Sequence, residues 1–153
     1  MSGVVAACVL LAITAPRVEE VNARDVCEAI EHFSYVHGRD AFMIAAMAWH
    51  ESRFNPLAVN ETSNARGPLQ VLAGRRWSPQ YTSEELATPW LGVEAGFVMI
   101  VRWQQWPRRE GRNWVACFAA GGRCKASIYV ARAERTAVKL RALSYRWDTG
   151  VCH

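Results

Sequence analysis

The chain has 153 residues and a mass of 17.2 kDa, a size that suits one domain and is too small for two separate cores. Hydrophobic residues make up 51% of the sequence and charged residues 21%, which excludes wholesale disorder, and no apolar run reaches the roughly 18 residues of a membrane-spanning helix. The net charge of +4 and the pI of about 9.0 suit an anionic partner, whether nucleic acid, a cell-envelope polymer or an acidic lipid.

An apolar segment opens the chain at residues 1–16, and residues 4–15 carry no charge. The length of this run suits the hydrophobic region of a secretory signal peptide, and Thr14–Ala15 is small enough to precede a cleavage point. However, no Lys or Arg precedes the run, and Ile13 is bulky for its place before that point. Two interpretations stand: a signal peptide or membrane anchor, or a buried first helix. The rest of the chain, residues 17–153, is predicted to form one domain.

The cysteine count favours export. Loss of the apolar segment would remove Cys8 and leave four cysteines, an even number compatible with two disulfides in an oxidising compartment. The alternative is that the cysteines are small buried residues. No C-x-x-C pair and no zinc-finger spacing occurs, so no structural metal is predicted. The five cysteines are Cys8, Cys27, Cys117, Cys124 and Cys152.

The first half of the chain indicates two helices and a loop. Apolar residues three and four positions apart predict an amphipathic helix over 18–36, ended by His37 and Gly38. Asp40 is a predicted N-cap for a helix from Ala41 to about Trp49, which is apolar on most faces and therefore central. The Asn, Pro, Gly, Ser and Thr residues of 55–76 predict a loop with a short irregular hairpin.

The second half indicates further helices. A helical turn is predicted at Ser83–Glu85, a buried helix at Leu91–Gln105, and a shorter apolar helix at Trp114–Ala120, ended by Gly121–Gly122. The last helix, from Ile128 to about Tyr145, is basic and amphipathic. Because no alternating strand pattern of useful length and no repeat is present, the predicted fold class is mainly α.

A glutamate at the end of the central helix is the first candidate for chemistry. Apolar side chains disfavour the charged form of a carboxyl group, so the pKa of Glu51 should rise toward the value that a general acid needs. The Gly-rich loop that follows lets the backbone and Gln70 approach a ligand. Taken alone, a glutamate at a helix end is more often a solvated residue.

The segment A-x-x-E-S-x-F-N-P-x-A, followed by a G-x-x-Q turn, resembles the catalytic region of the soluble lytic transglycosylase family. The resemblance implies a lysozyme-like single domain with an active-site cleft. It places the sole catalytic carboxylate at Glu51, the adjacent serine at Ser52, and the family's G-L-M-Q turn at Gly67–Gln70. The family's A-L-A-A-Y-N-A-G segment looks like Trp114–Gly121, and the match runs with gaps over about residues 41–130.

The sequence departs from the family pattern at several positions. The family's tyrosine, whose hydroxyl points at the catalytic carboxylate, falls on Phe118, so Glu51 is predicted to lack its expected hydrogen-bond partner. Pro68 replaces a longer apolar residue, and the loop before the turn is longer than usual. Besides the catalytic Glu51, the predicted substrate-binding residues are Ser52, Gln70, Phe118 and the loop residue Asn60.

The resemblance also implies the reaction. It implies cleavage of the β-1,4 bond between N-acetylmuramic acid and N-acetylglucosamine in peptidoglycan, with 1,6-anhydro ends and without a cofactor. Most glycoside hydrolases use two carboxylates, and the motif supplies one; Glu61 and Asp148 are the alternatives for a second. A lysozyme-like hydrolase and a weakly active wall-binding protein, favoured by Phe118, remain the competing interpretations.

The expected partners are peptidoglycan strands, together with a secretion, conjugation or viral envelope-penetration apparatus. The expected location is the periplasm or cell envelope, or alternatively a virion. His50-Glu51 begins like the zinc motif H-E-x-x-H, but Phe54 takes the place of the second ligand, so no metal site is predicted. The basic last helix, with Arg132, Arg135 and the residues after them, is read as a solvated face or a contact for anionic wall polymer rather than for nucleic acid. Membrane association is expected at most through the N-terminal segment.

Overall fold

The computed structural model describes residues 1–74, 80–105, 113–120 and 124–149, and it is mainly α with a lysozyme-like architecture. This confirms the predicted fold class. No helix within the described ranges is long and apolar enough to cross a membrane. The elements are α1 (Gly3–Ile13), α2 (Glu20–His37), α3 (Ala41–Ser52), β1 (Ala65–Arg66), β2 (Val71–Leu72), α4 (Ser83–Leu86), α5 (Pro89–Gln105), α6 (Trp114–Ala120) and α7 (Ser127–Asp148).

Helix α3 is the centre of the fold. Asp40 caps it as predicted, because its carboxylate accepts a hydrogen bond of 3.1 Å from the Phe42 N–H. All residues from Ile44 to Trp49 are buried, and α3 packs against α1, α2 and α7. The helix ends at Ser52, three residues beyond the predicted end, where Arg53 adopts a left-handed conformation (φ 56°).

Helix α1 is part of the core. Its apolar side chains are buried against α2 and α7, and Cys8 forms a disulfide with Cys27 on α2. The second disulfide joins Cys117 to Cys124. Two disulfides therefore form, the number that the sequence predicted, but one of them contains Cys8, which loss of the apolar segment would remove. Cys152 lies outside the described residues. Cleavage after the apolar segment stays a prediction; it would remove α1 and break one disulfide.

A short ribbon and a tight turn lie between α3 and α5. Strands β1 and β2 are antiparallel, which confirms the predicted hairpin, and they flank the turn Gly67–Gln70. The turn lies so close to α5 that a Cβ on Gly92 would come 2.6 Å from Pro68 Cδ, and a Cβ on Gly96 would overlap Leu69. Glycines four residues apart thus give α5 a flat face that receives the turn.

The last helix brings a distant part of the chain to α3. Buried small and apolar residues on α7, namely Ala133, Ala137 and Leu140, form a stripe that packs on α1 and α3. The helix begins at Ser127 and ends at Asp148, close to the predicted limits. The glycines predicted to end α6, Gly121–Gly122, lie outside the described residues.

Candidate active site

Glu51 lies in the last turn of α3, half-buried, with a tyrosine hydroxyl on its carboxylate. The Tyr129 hydroxyl, near the start of α7, donates a hydrogen bond of 2.6 Å to Glu51 Oε1. The two residues are 78 positions apart, and they meet because α7 packs against α3. The prediction that Phe118 leaves Glu51 without a hydrogen-bond partner is therefore wrong, because a different helix supplies the hydroxyl.

Burial of this pair changes the protonation of both groups. Burial raises the pKa of Glu51, and the weaker opposing effect is the Tyr129 hydrogen bond, which favours the carboxylate. This confirms the direction predicted from the apolar helix. The pKa of Tyr129 is also raised, first by burial and then by the Glu51 charge and hydrogen bond, so the hydroxyl stays a donor. Glu51 therefore keeps its proton to higher pH than a solvated glutamate, as a general acid requires.

Ser52 connects the end of α3 to the following turn. Its hydroxyl hydrogen is shared between two backbone carbonyl oxygens, at 3.1 Å from Ala48 O within the helix and 2.9 Å from Pro68 O in the turn. The observed role of Ser52 is thus to position the Gly67–Gln70 turn beside Glu51. Direct binding of substrate by this hydroxyl stays a prediction.

Gln70 closes the loop that precedes the turn. Its backbone is left-handed (φ 50°), and its side-chain Nε2 donates 3.1 Å hydrogen bonds to the carbonyls of Ala58 and Gly67. Gly67 N in turn donates to Ala58 O at 3.0 Å. The side-chain amide of Gln70 therefore ties both ends of the long loop together. Contact of Gln70 with substrate stays a prediction.

Asn60 organises the tip of the same loop. Its side-chain oxygen accepts hydrogen bonds from Thr62 N at 3.0 Å and Ser63 N at 3.1 Å, and its carbonyl accepts one from Asn64 N at 2.7 Å. Such an asparagine turn shapes the backbone locally. Asn60 is exposed, and its predicted part in substrate binding stays a prediction.

Phe118 lies on α6, partly buried against the core. The neighbouring Cys117 forms the disulfide with Cys124, which lies three residues before the start of α7. The disulfide therefore links α6 to the part of the chain that leads to Tyr129. Sequence reasoning missed Tyr129, although one signal was present: it continues the buried stripe of α7 toward its N-terminus, four residues before Ala133.

The alternative second carboxylates differ in position. Asp148 ends α7, 19 residues after Tyr129. Its backbone therefore lies about 28 Å along the helix axis from that of Tyr129, the residue that holds Glu51. Paired glycosidase carboxylates are roughly 5–9.5 Å apart, so Asp148 is too distant. Glu61 is exposed in the loop, and its catalytic role stays a prediction.

A second tyrosine–carboxylate pair stabilises the fold beside this region. The Tyr81 hydroxyl donates a hydrogen bond of 2.5 Å to Glu94 Oε2 on α5. Burial, followed by the hydrogen bond and charge of Glu94, raises the pKa of Tyr81 to about 12. The pair ties the segment before α4 to α5, and no sequence pattern indicated it.

The fold and the site together define the class of protein: it is a lysozyme-like domain whose central helix ends in a half-buried glutamate. The family follows from comparison: residues 28–135 match the family model described as the transglycosylase SLT domain. Because this match covers well over half of the chain, the protein belongs to that family. Its function is therefore of the transglycosylase type, with peptidoglycan as the substrate. Comparison with curated proteins finds no match. In the described ranges, no group of three or more metal-ligating side chains occurs.

Proposed function

We propose that the protein is a lytic transglycosylase that cleaves the β-1,4 bond between N-acetylmuramic acid and N-acetylglucosamine and forms 1,6-anhydro ends. The observation that carries this proposal is the half-buried Glu51 carboxyl, raised in pKa and held by the Tyr129 hydroxyl at 2.6 Å. A protonated carboxyl of this kind is the group that a glycosidic leaving oxygen needs.

The reaction uses Glu51 twice. The protonated carboxyl gives its proton to the glycosidic oxygen as the C1–O bond breaks, while the acetamido group of the muramyl sugar assists at C1. The resulting carboxylate then takes the proton from the 6-hydroxyl as O6 bonds to C1. The acid is regenerated and no water is consumed. One carboxylate is therefore sufficient for both steps.

Tyr129 acts on the carboxyl and not on the sugar. Because its hydrogen bond occupies Oε1, the proton transfers take place at Oε2. The hydroxyl also stabilises the carboxylate that exists between the two steps, because hydrogen bonds to a charged acceptor are stronger than those to a neutral one. Tyr129 is accordingly a positioning residue.

The test is a product analysis on isolated wall sacculi. Wild-type protein should release fragments with 1,6-anhydro ends, which mass spectrometry detects as muropeptides lacking one water. Glu51→Gln should lower the rate by about 10²- to 10⁴-fold, the usual contribution of general acid–base catalysis. Glu61→Gln removes the alternative second carboxylate and should leave the rate unchanged, because one carboxylate is sufficient for both steps. Ordinary reducing ends would mean that water is the acceptor, which would refute the proposal in favour of a lysozyme-like hydrolase.

The proposed place of action is the periplasm or cell envelope. The two disulfides support it, because disulfides persist in oxidising compartments, and the substrate lies there. The role is local opening of the wall, for passage of a secretion, conjugation or viral apparatus, or lysis. Thiol titration of denatured protein recovered from the envelope should find Cys117 and Cys124 unreactive, because their disulfide does not depend on the apolar segment; reactive thiols at both would contradict this location.

A further inference from the structure

A cationic pocket lies beside the candidate active site, between α3 and α7. It has a volume of about 410 Å³ and is open to solvent. The proposed reaction gives it no role. It is lined by His50, Arg53, Arg132, Arg135, Thr136 and Lys139.

The pocket concentrates positive charge. The ion pairs formed within the described ranges, Arg24 with Glu20 and Arg141 with Asp40, include none of its lining residues. Arg53 lies instead over the ring of Trp49, with its guanidinium carbon 4.4 Å from the ring centroid.

Arg135 lines not only the cationic pocket but also a neighbouring depression that contains Glu134. Arg132 and Lys139 line the cationic pocket and not this depression, and they are therefore the cleaner positions for a test.

His50 contributes an uncharged ring to the lining of the pocket near neutral pH. Its Nε2 is 2.8 Å from Thr136 Oγ1, and its ring also forms a hydrogen bond to the Arg132 backbone. Burial lowers the pKa of His50, and the hydrogen bond to the Arg132 backbone opposes this effect. The positive charges of Arg53, Arg132 and Arg135 lower the pKa further. The neutral ring leaves the arginines and Lys139 as the charges that a ligand meets.

The pocket lies next to the Glu51–Tyr129 pair. His50 precedes Glu51 in α3, and its ring centroid is 6.3 Å from that of Tyr129. Along α7, Arg132 lies about 4.5 Å and Lys139 about 15 Å beyond Tyr129. An extended peptide of three to five residues covers that distance at roughly 3.3 Å per residue.

We propose that this pocket binds the carboxylate groups of the peptide carried by the muramyl residue at the catalytic site. The inference rests on the proposed function, because the sugar on Glu51 brings the peptide to the pocket. Guanidinium groups bind carboxylates through paired hydrogen bonds, and Lys139 adds a point charge. The protein thus selects peptide-bearing glycan over strands from which the peptide has been removed.

The test measures binding in a Glu51→Gln background, where no cleavage occurs. Titration calorimetry compares a muramyl disaccharide peptide with the same disaccharide without peptide and with a peptide whose carboxylates are amidated. The pocket variants are Arg132→Gln, Lys139→Gln and their combination. The matched control is Arg146→Gln, an exposed arginine in the last turn of the same helix, outside the pocket.

Each pocket variant should weaken binding of the peptide-bearing ligand by about 2- to 5-fold, and the combination by roughly 4- to 25-fold, the range for solvent-exposed charge pairs. The loss should shrink in 1 M salt. Binding of the peptide-free and amidated ligands should not change, and Arg146→Gln should match the Glu51→Gln parent.

Equal losses for all three ligands would overturn the proposal, as would no loss for the peptide-bearing one. A loss seen only with a wall phosphate polymer would also overturn it and would assign the pocket to phosphate. The proposed function is tested separately. Peptide-dependent binding without anhydro products would support the pocket proposal and refute the proposed reaction. Anhydro products without peptide-dependent binding would support the reaction and refute the pocket proposal.

Discussion

Replacement of Tyr129 by phenylalanine tests the central contact of the site. The change removes the hydroxyl that lies 2.6 Å from Glu51 Oε1 and keeps the ring that packs against the core. A hydrogen bond to a charged group contributes about 1.5–3 kcal/mol. If this stabilises the carboxylate formed between the two proton transfers, its loss should slow wall cleavage by roughly 10- to 150-fold.

The same replacement should also shift the pH dependence of wall cleavage. The hydrogen bond lowers the pKa of Glu51 against the larger raising effect of burial, so its removal should raise that pKa further. The first step needs the protonated acid, and activity falls as pH rises through the pKa. The alkaline limb of the Tyr129→Phe profile should therefore lie at higher pH than that of the wild type, although the maximum rate is lower.

The assay is release of soluble muropeptides from sacculi as a function of pH, with far-UV circular dichroism and thermal melting to confirm folding. Tyr145→Phe, at an exposed tyrosine on the same helix, is the control and should leave the profile unchanged. An unchanged rate and alkaline limb in Tyr129→Phe would refute the reasoning, because the hydroxyl would then have no influence on the acid.

Three further predictions concern stability. Glu51→Gln should raise the free energy of unfolding near neutral pH by about 1 kcal/mol, seen as a higher Tm, because it removes a buried charge. The folded pKa of Glu51 is raised, so the gain in stability should vanish below the pKa of the unfolded chain, where the glutamate is protonated in both states. A gain that persists in acid would contradict this prediction. Gly96→Val should displace Leu69 and the turn, lowering activity and destabilising the fold by about 1–3 kcal/mol; wild-type melting and activity would show that the turn does not need this contact. Replacing both Cys8 and Cys27 by alanine opens a loop of sequence separation 19 and should cost about 3 kcal/mol, measured by urea unfolding; an unchanged midpoint would show that α1 docks without the disulfide.

Much of the fold and part of the site could be predicted from local sequence. The cap at Asp40 and the apolar faces of α3 follow from patterns within a dozen residues, as does the raised pKa of Glu51. Such features depend on neighbours along one helix, whose geometry is fixed by backbone hydrogen bonds. The turn Gly67–Gln70 was equally visible as a motif.

The sequence left open whether residues 4–15 belong to the domain, and its cysteine count set Cys8 aside. Length and apolarity are the same for a signal peptide and for a buried helix, so the local pattern does not separate them. The packing of α1 against α2 and α7, with the Cys8–Cys27 disulfide, is a property of the assembled core.

The partner of Glu51 and the cationic pocket were decided only by tertiary structure. Periodicity identified α7 as a basic amphipathic helix, but not the helix against which its buried stripe packs. Once the stripe at Ala133 and Ala137 packs on α3, Tyr129 meets Glu51 and Arg132 comes beside His50. Contacts between residues about 80 positions apart depend on how whole helices pack, and that information is spread over the core instead of residing in any single motif.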